Sequence, residues 1–174
     1  VVLCIHRLSS SRDPSHLISE QVGFYLRSSL LISVEEFDRQ EPYGKLVSWL
    51  QNKTPTANGD DLDDLLHALF EEILHQYFPL LEVMSDRLDD LEESVLRSPK
   101  PKLLTKAFQM HSNLRQVRRQ LWPLLSQIRL FLRQNQSELS PESAERYQDM
   151  EQHLNQLFEV SEWLRHQCDA VNQA

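Results

Sequence analysis

Glycine is scarce in this chain, 3 residues in 174, and cysteine scarcer, with only Cys4 and Cys168 and no Cys-x-x-Cys pair. Few glycines beside 40% apolar residues suit a helix-rich globular protein better than a β-sandwich or a disordered chain. The two distant cysteines exclude a disulfide framework and read as buried free thiols in a reducing compartment. No apolar run approaches the roughly 18–20 residues needed to span a bilayer, and no stretch has the pattern of a signal peptide, so the chain as it stands reads as soluble. There is no Gly-rich phosphate loop, no His-Glu-x-x-His, and no nucleophile with a nearby base on a strand–turn–helix, which speaks against an enzyme. Positive charge is also short. With 18 Lys and Arg against 26 Asp and Glu, the net charge is −8 and the pI about 5.3. That excludes a general surface for nucleic acid or anionic membrane, and it suits cations.

The strongest pattern present is at the C-terminal end. Tyr147, Met150, Leu154, Leu157, Ser161, Leu164, Cys168 and Val171 alternate in threes and fours, the seam of a helix packed on other helices. Ser140 is a good N-cap and Pro141 suits the first helical position. Nothing at 171–174 resembles a C-cap, so the expectation is a piece of a longer chain, ending inside its last helix.

At the other end, 1–8 reads as a sheet strand entered partway and 9–14 as a polar turn. Residues 17–26 and 30–34 read as two short strands of a hairpin. Three strands make a poor sheet alone, and further N-terminal strands are expected. Pro42 introduces a short helix over 43–50, and 53–59 (KTPTANG) is the clearest linker. Beyond it one apolar stripe runs Leu62, Leu65, Leu66, Leu69, Phe70, Ile73, Leu74, Tyr77, Leu81, Met84, Leu88, Leu91, Val95, capped by Asp60 or Asp61. Pro79 interrupts neither phase, which predicts a kink there rather than a stop. After a turn at 98–101, a second long helix over 103–133 carries Leu104, Phe108, His111, Leu114, Leu121, Leu125, Ile128 and Leu132, with Pro123 inside it.

The expected fold class is therefore α+β and mostly α: a small partial β-sheet with a flanking helix, then long antiparallel helices and a stalk helix. The expected units are 1–59, the partial α/β sheet region; 60–139, two long antiparallel helices; and 140–174, the start of the stalk.

Taken together and in order, SEQVGFYL (19–26), LLISVEE (30–36), DDLLHALFEEILHQYFPLLE (63–82), LDDLEESVL (88–96), LWPL (121–124) and YQDMEQHLNQLFEV (147–160) resemble the CorA family of magnesium and cobalt transporters. The resemblance spans nearly the whole chain. It implies the cytoplasmic, divalent-cation-sensing domain of an inner-membrane channel, homopentameric when intact. The stalk helix would lead to membrane spans, and a Gly-Met-Asn signature, that this chain does not contain. It implies Mg²⁺ as regulatory and transported ion, with Co²⁺ or Zn²⁺ as alternatives, and no nucleic-acid partner.

Two metal-binding candidates follow from the same resemblance. Asp149 matches a stalk aspartate that helps hold a regulatory ion between adjacent subunits, with partner carboxylates expected from a region upstream of residue 1. Mg²⁺ takes oxygen ligands and keeps waters, so one carboxylate facing another across an interface can form a weak site. The plainer reading is an exposed aspartate beside the Met150 seam position. Glu71 falls where relatives place a second regulatory carboxylate. It also stands in an i, i+4, i+8 row with His67 and His75, with Asp64 one turn earlier. Such a row suits Zn²⁺ in ligand type, although ligands two turns apart are about 12 Å apart and cannot close on one ion alone. The plainer reading there is a solvated face. Asp86, Asp89, Asp90, Glu92 and Glu93 form an acidic run for which pairing with Arg115, Arg118, Arg119, Arg129 and Arg133 is the simplest account. Other readings are a zinc-transporting member of the same superfamily and a helical protein-interaction module.

Overall fold

The computed structural model describes residues 2–10, 16–27, 30–36, 61–98, 100–135 and 139–173. The expected helix over 43–50, the linker 53–59, the cap Asp60 and most of the turn 9–14 lie outside the described residues.

Strands β1 (Val2–Ser10), β2 (Leu17–Arg27) and β3 (Leu30–Glu35) form an antiparallel sheet in the order β1-β2-β3. The hairpin is the expected one. Ser9 and Ser10, read as the start of a turn, instead continue β1, opposite Ile18 and Leu17. Alternation sets the faces. Leu3, Ile5 and Arg7 stand opposite Phe24, Val22 and Glu20, all buried. On the other face Val2, Tyr25, Ile32 and Val34 are exposed.

Arg7 was hidden from sequence reasoning by this alternation. Its guanidinium is 1% exposed and donates from Nη1 to Glu20 Oε2 at 3.0 Å and to Glu35 Oε2 at 3.1 Å. One cation thus links all three strands on the covered face of the sheet. Charges this deep persist only when paired, because removing either partner strands the other away from water.

Four helices follow: α1 (Asp61–Leu74), α2 (Tyr77–Arg97), α3 (Pro101–Gln134) and α4 (Pro141–Gln173). The stripe expected as one kinked helix is two helices. The break falls at the turn His75–Gln76, where Gln76 N–H reaches back only three residues, to Ile73. Pro79 then sits in the first turn of α2, where its missing N–H has no intrahelical acceptor to lose. The stripe keeps its phase across the break: Ile73, Leu74, Tyr77, Leu81, Met84, Leu88, Leu91 and Val95 are all buried.

α1 covers the buried face of the sheet, with the Phe24 and Phe70 rings 5.2 Å apart. Two further ties fix β1 to the long helices. The Tyr77 hydroxyl donates to the His6 carbonyl, and Cys4 N–H donates to Gln127 Oε1 at 3.2 Å.

Helices α3 and α4 pair as an antiparallel coiled coil. The α4 seam is the one read from the sequence, every member at most 4% exposed, and Ser161 satisfies its hydroxyl on the Phe158 carbonyl. Its N-cap is also as expected, Ser140 Oγ accepting from Ser143 N–H at 3.0 Å. The facing row on α3 is Ala107, Met110, Leu114, Val117, Leu121, Leu124, Ile128 and Phe131, again in threes and fours. Leu104 and Phe108, expected on this row, are 46% and 64% exposed. Large side chains drew the stripe a few positions off. Ala107 is the inward residue because α4 approaches closely there, with Cys168 Sγ 3.3 Å from the Ala107 carbonyl. Burial pushes that thiol's pKa up to about 11, so it stays protonated. Cys4, expected to be buried like Cys168, is only half-buried. Pro123 lies inside α3 on its exposed side, where water can satisfy the carbonyl it leaves free.

Candidate divalent-cation site

Of the two carboxylates singled out in the sequence, Glu71 sits at the contact between α1 and α4, and Asp149 is exposed on α4. That contact is polar at its rim. Arg146 Nη1 pairs with Asp64 Oδ1, and His67 Nε2–H donates to the Arg146 carbonyl at 3.1 Å. The His67 ring meets Tyr147 edge-on with centroids 5.5 Å apart. Burial lowers the His67 pKa below its ordinary value, against the opposing pull of Glu71, so the ring is neutral at pH 7.

Glu71 is 16% exposed and ringed by imidazoles. His153 Nδ1 of α4 lies 3.4 Å from Oε1, His75 Nε2 3.6 Å from Oε2, and His67 Nε2 3.9 Å from Oε1. The row His67–Glu71–His75 was legible as a helical i, i+4, i+8 pattern. His153 was not, because its approach depends on how α4 docks. Asp149 stands one turn before His153 on the same side of α4, exposed. Three other acids of α4 are engaged: Glu151 with Arg129 at 2.6 Å, Glu162 with Arg118 at 3.2 Å, and Asp169 with His111 at 3.3 Å. Among the described residues Asp149 has no such partner, and neither do Glu142, Glu145 and Glu159 of the same helix. Among the same residues, no group of three or more His, Cys, Asp or Glu side chains is gathered so as to hold a metal ion.

The expected pairing of the α2 acidic run with the α3 arginines takes a different form. Arg118 and Arg129 reach α4 instead, and Glu93 pairs with Arg97 of its own helix. The coiled-coil geometry explains this, since α4 flanks the same edge of α3 along its length.

A family model described as CorA-like Mg²⁺ transporter protein matches residues 1–174, the full chain. The chain belongs to this CorA-like family. The cobalt/magnesium transport protein CorA of Thermotoga maritima is 25% identical over 169 residues, which is 95% of this chain and 47% of that protein. The chain thus spans about half the length of that CorA relative. Its fold matches the soluble domain of CorA from Methanocaldococcus jannaschii with a TM-score of 0.81 and 19% identity, covering 99% of this chain and 68% of that one. The complete CorA magnesium transporter of the same organism matches with the same score and identity, over 53% of its chain. The ZntB cytoplasmic domain from Vibrio parahaemolyticus matches with a TM-score of 0.74 and 15% identity, over 99% of this chain and 66% of that one. At these identities the structural likeness is one of fold. Among the described residues no helix is long and apolar enough to cross a membrane. CorA-like proteins are transporters, and the part described here is α+β in the manner of their soluble domain.

Proposed function

We propose that this chain is the cation-sensing part of a CorA-type Mg²⁺ transporter, lying on the cytoplasmic side of the inner membrane, with α4 as the stalk that links it to the pore. Residues 1–59 supply the sheet region, 60–139 the long helices and 140–174 the stalk. The transported ion is Mg²⁺, with Co²⁺ as the second cation named for its relative. The observation that carries the reading is the match of the full chain to the CorA-like family model; within it, Asp149 is an exposed carboxylate of α4 with no ion-pair partner among the described residues.

Mechanistically, a divalent ion bridges Asp149 to oxygen ligands of an adjacent copy, as in a homopentamer, with Glu71 as a second carboxylate of the sensing surface. Mg²⁺ keeps several waters, so a shared site needs only one or two carboxylates from each side. Bound ions cancel the repulsion between acidic copies and hold a closed ring. When the ion leaves, that ring loosens and the stalk moves. The ion shifts the equilibrium only by binding the closed ring more tightly.

The test is light-scattering mass of the chain with and without millimolar Mg²⁺. An increase in mass that needs Mg²⁺ and is lost in Asp149→Ala supports the reading. An unchanged Mg²⁺ response in Asp149→Ala removes Asp149 from it.

A zinc-transporting member of the superfamily is the second reading, suggested by His75 and His153 beside Glu71, which a bound ion would have to draw together. Imidazole suits Zn²⁺ and not Mg²⁺. In that case Zn²⁺ raises the melting temperature well above what Mg²⁺ achieves, and His153→Ala abolishes the difference.

A further inference from the structure

The acidity of the chain is unevenly spread. Between residues 94 and 108 there is no Asp or Glu, while Arg97, Lys100, Lys102 and Lys106 all lie there and are all exposed. This stretch is the end of α2, the turn and the first two turns of α3. It also carries Leu96, Leu104 and Phe108, 73%, 46% and 64% exposed. On α3, Lys102 and Lys106 form one i, i+4 row and Leu104 and Phe108 another, on either side of Thr105. Arg97 pairs with Glu93 behind it; among the described residues the three lysines have no ion-pair partner.

Single exposed apolar side chains are ordinary, and so are surface lysines. Their combination at one end of the α2–α3 hairpin is more selective. A nucleic acid would use the cations and leave Leu96, Leu104 and Phe108 idle. An apolar protein groove would bury those three and strand the lysines. An anionic bilayer surface uses both, taking apolar side chains at the headgroup boundary and cations at the phosphates.

We propose that the α2–α3 tip docks on an anionic phospholipid surface, with Leu96, Leu104 and Phe108 entering the headgroup boundary and Lys100, Lys102 and Lys106 meeting the phosphates. The net charge of −8 opposes binding by the molecule as a whole. The docking is therefore local, with Asp86, Asp89, Asp90 and Glu92 lying back along α2 on the aqueous side. The inference stands apart from the cation-sensing reading: neither Asp149 nor Glu71 takes part, and the binding is measured in chelator.

The experiment is co-sedimentation of the chain with phosphatidylcholine vesicles and with vesicles containing one-quarter phosphatidylglycerol, in EDTA at low and high salt. Binding is expected only to the anionic vesicles and is lost at high salt. Lys100→Gln/Lys102→Gln/Lys106→Gln lowers the affinity by more than about tenfold, since each lysine near such a surface contributes about fivefold. Leu104→Ser/Phe108→Ser lowers it several-fold at unchanged charge. All five positions are exposed, so melting curves of both variants match the parent. Failure to bind anionic vesicles overturns the proposal, as does binding indifferent to both variants. A change in light-scattering mass of these variants without vesicles also overturns it, assigning the tip to contacts between copies.

Discussion

The sheet and the coiled coil bury different things. The sheet hides a charged cluster, Arg7 with Glu20 and Glu35, beneath α1. The α3–α4 seam hides apolar side chains and one self-satisfied serine, and keeps its ion pairs on the rim, with Arg118 and Arg129 about half exposed. Buried charges have no aqueous fallback, whereas rim charges exchange a partner for water at little cost. The helical edge can thus gain or lose a cation without threatening the fold, and the sheet cannot.

The sharpest way to break this contrast is Arg7→Ala. It leaves Glu20 buried without its cation and is expected to cost about 3–5 kcal/mol in urea unfolding at pH 7. Arg7→Met with Glu20→Leu should recover a large part of that loss, which a purely steric role for Arg7 would not allow. Leu157→Ala opens a cavity at the centre of the α4 seam and is expected to cost about 3 kcal/mol by the same measurement. Arg129→Ala removes the rim pair with Glu151 and should cost less than about 1 kcal/mol. A loss as large as that from Arg7→Ala would erase the distinction between rim and interior.

The smallest effect concerns His6. Burial chiefly, with Arg119 adding to it and Glu36 opposing, lowers its pKa below the ordinary 6.5. A depressed histidine binds its proton more readily when unfolded. Its contribution to stability is therefore whole above about pH 6.5 and falls as the pH drops below that value toward the folded pKa. Melting temperatures between pH 7 and 5 should fall slightly less steeply in His6→Gln. An equal slope would show that His6 is not the group responsible.

What the sequence revealed follows from what each feature depends on. The α4 seam and the β2–β3 hairpin are local periodicities, and both appear where their residues put them. Arg7 was missed because its burial depends on cross-strand partners 13 and 28 residues away. The break at His75–Gln76 carries no glycine, and the nearby proline pointed to the wrong residue. On α3 the inward row was drawn toward bulky Leu104 and Phe108, while the close approach of α4 selects Ala107. For the site, periodicity alone placed Glu71 beside His67 and His75. Asp149 came from family resemblance, since an exposed aspartate leaves no mark in a hydrophobic pattern. The arrival of His153 at Glu71 required the tertiary structure.

The bond from the Tyr77 hydroxyl to the His6 carbonyl gives the helical hairpin a fulcrum. It pins the first residue of α2 to β1, while α2 runs on for 21 residues to the exposed tip. At about 1.5 Å per residue, the lever arm is roughly 30 Å. Each degree by which the sheet tilts the root of α2 then sweeps the tip through roughly 0.5 Å, a displacement that follows from the same arm length. Rearrangement of a few ångströms at the far end thus corresponds to a rotation of only a few degrees where the helix is anchored, small enough for the packed core to accommodate without coming apart.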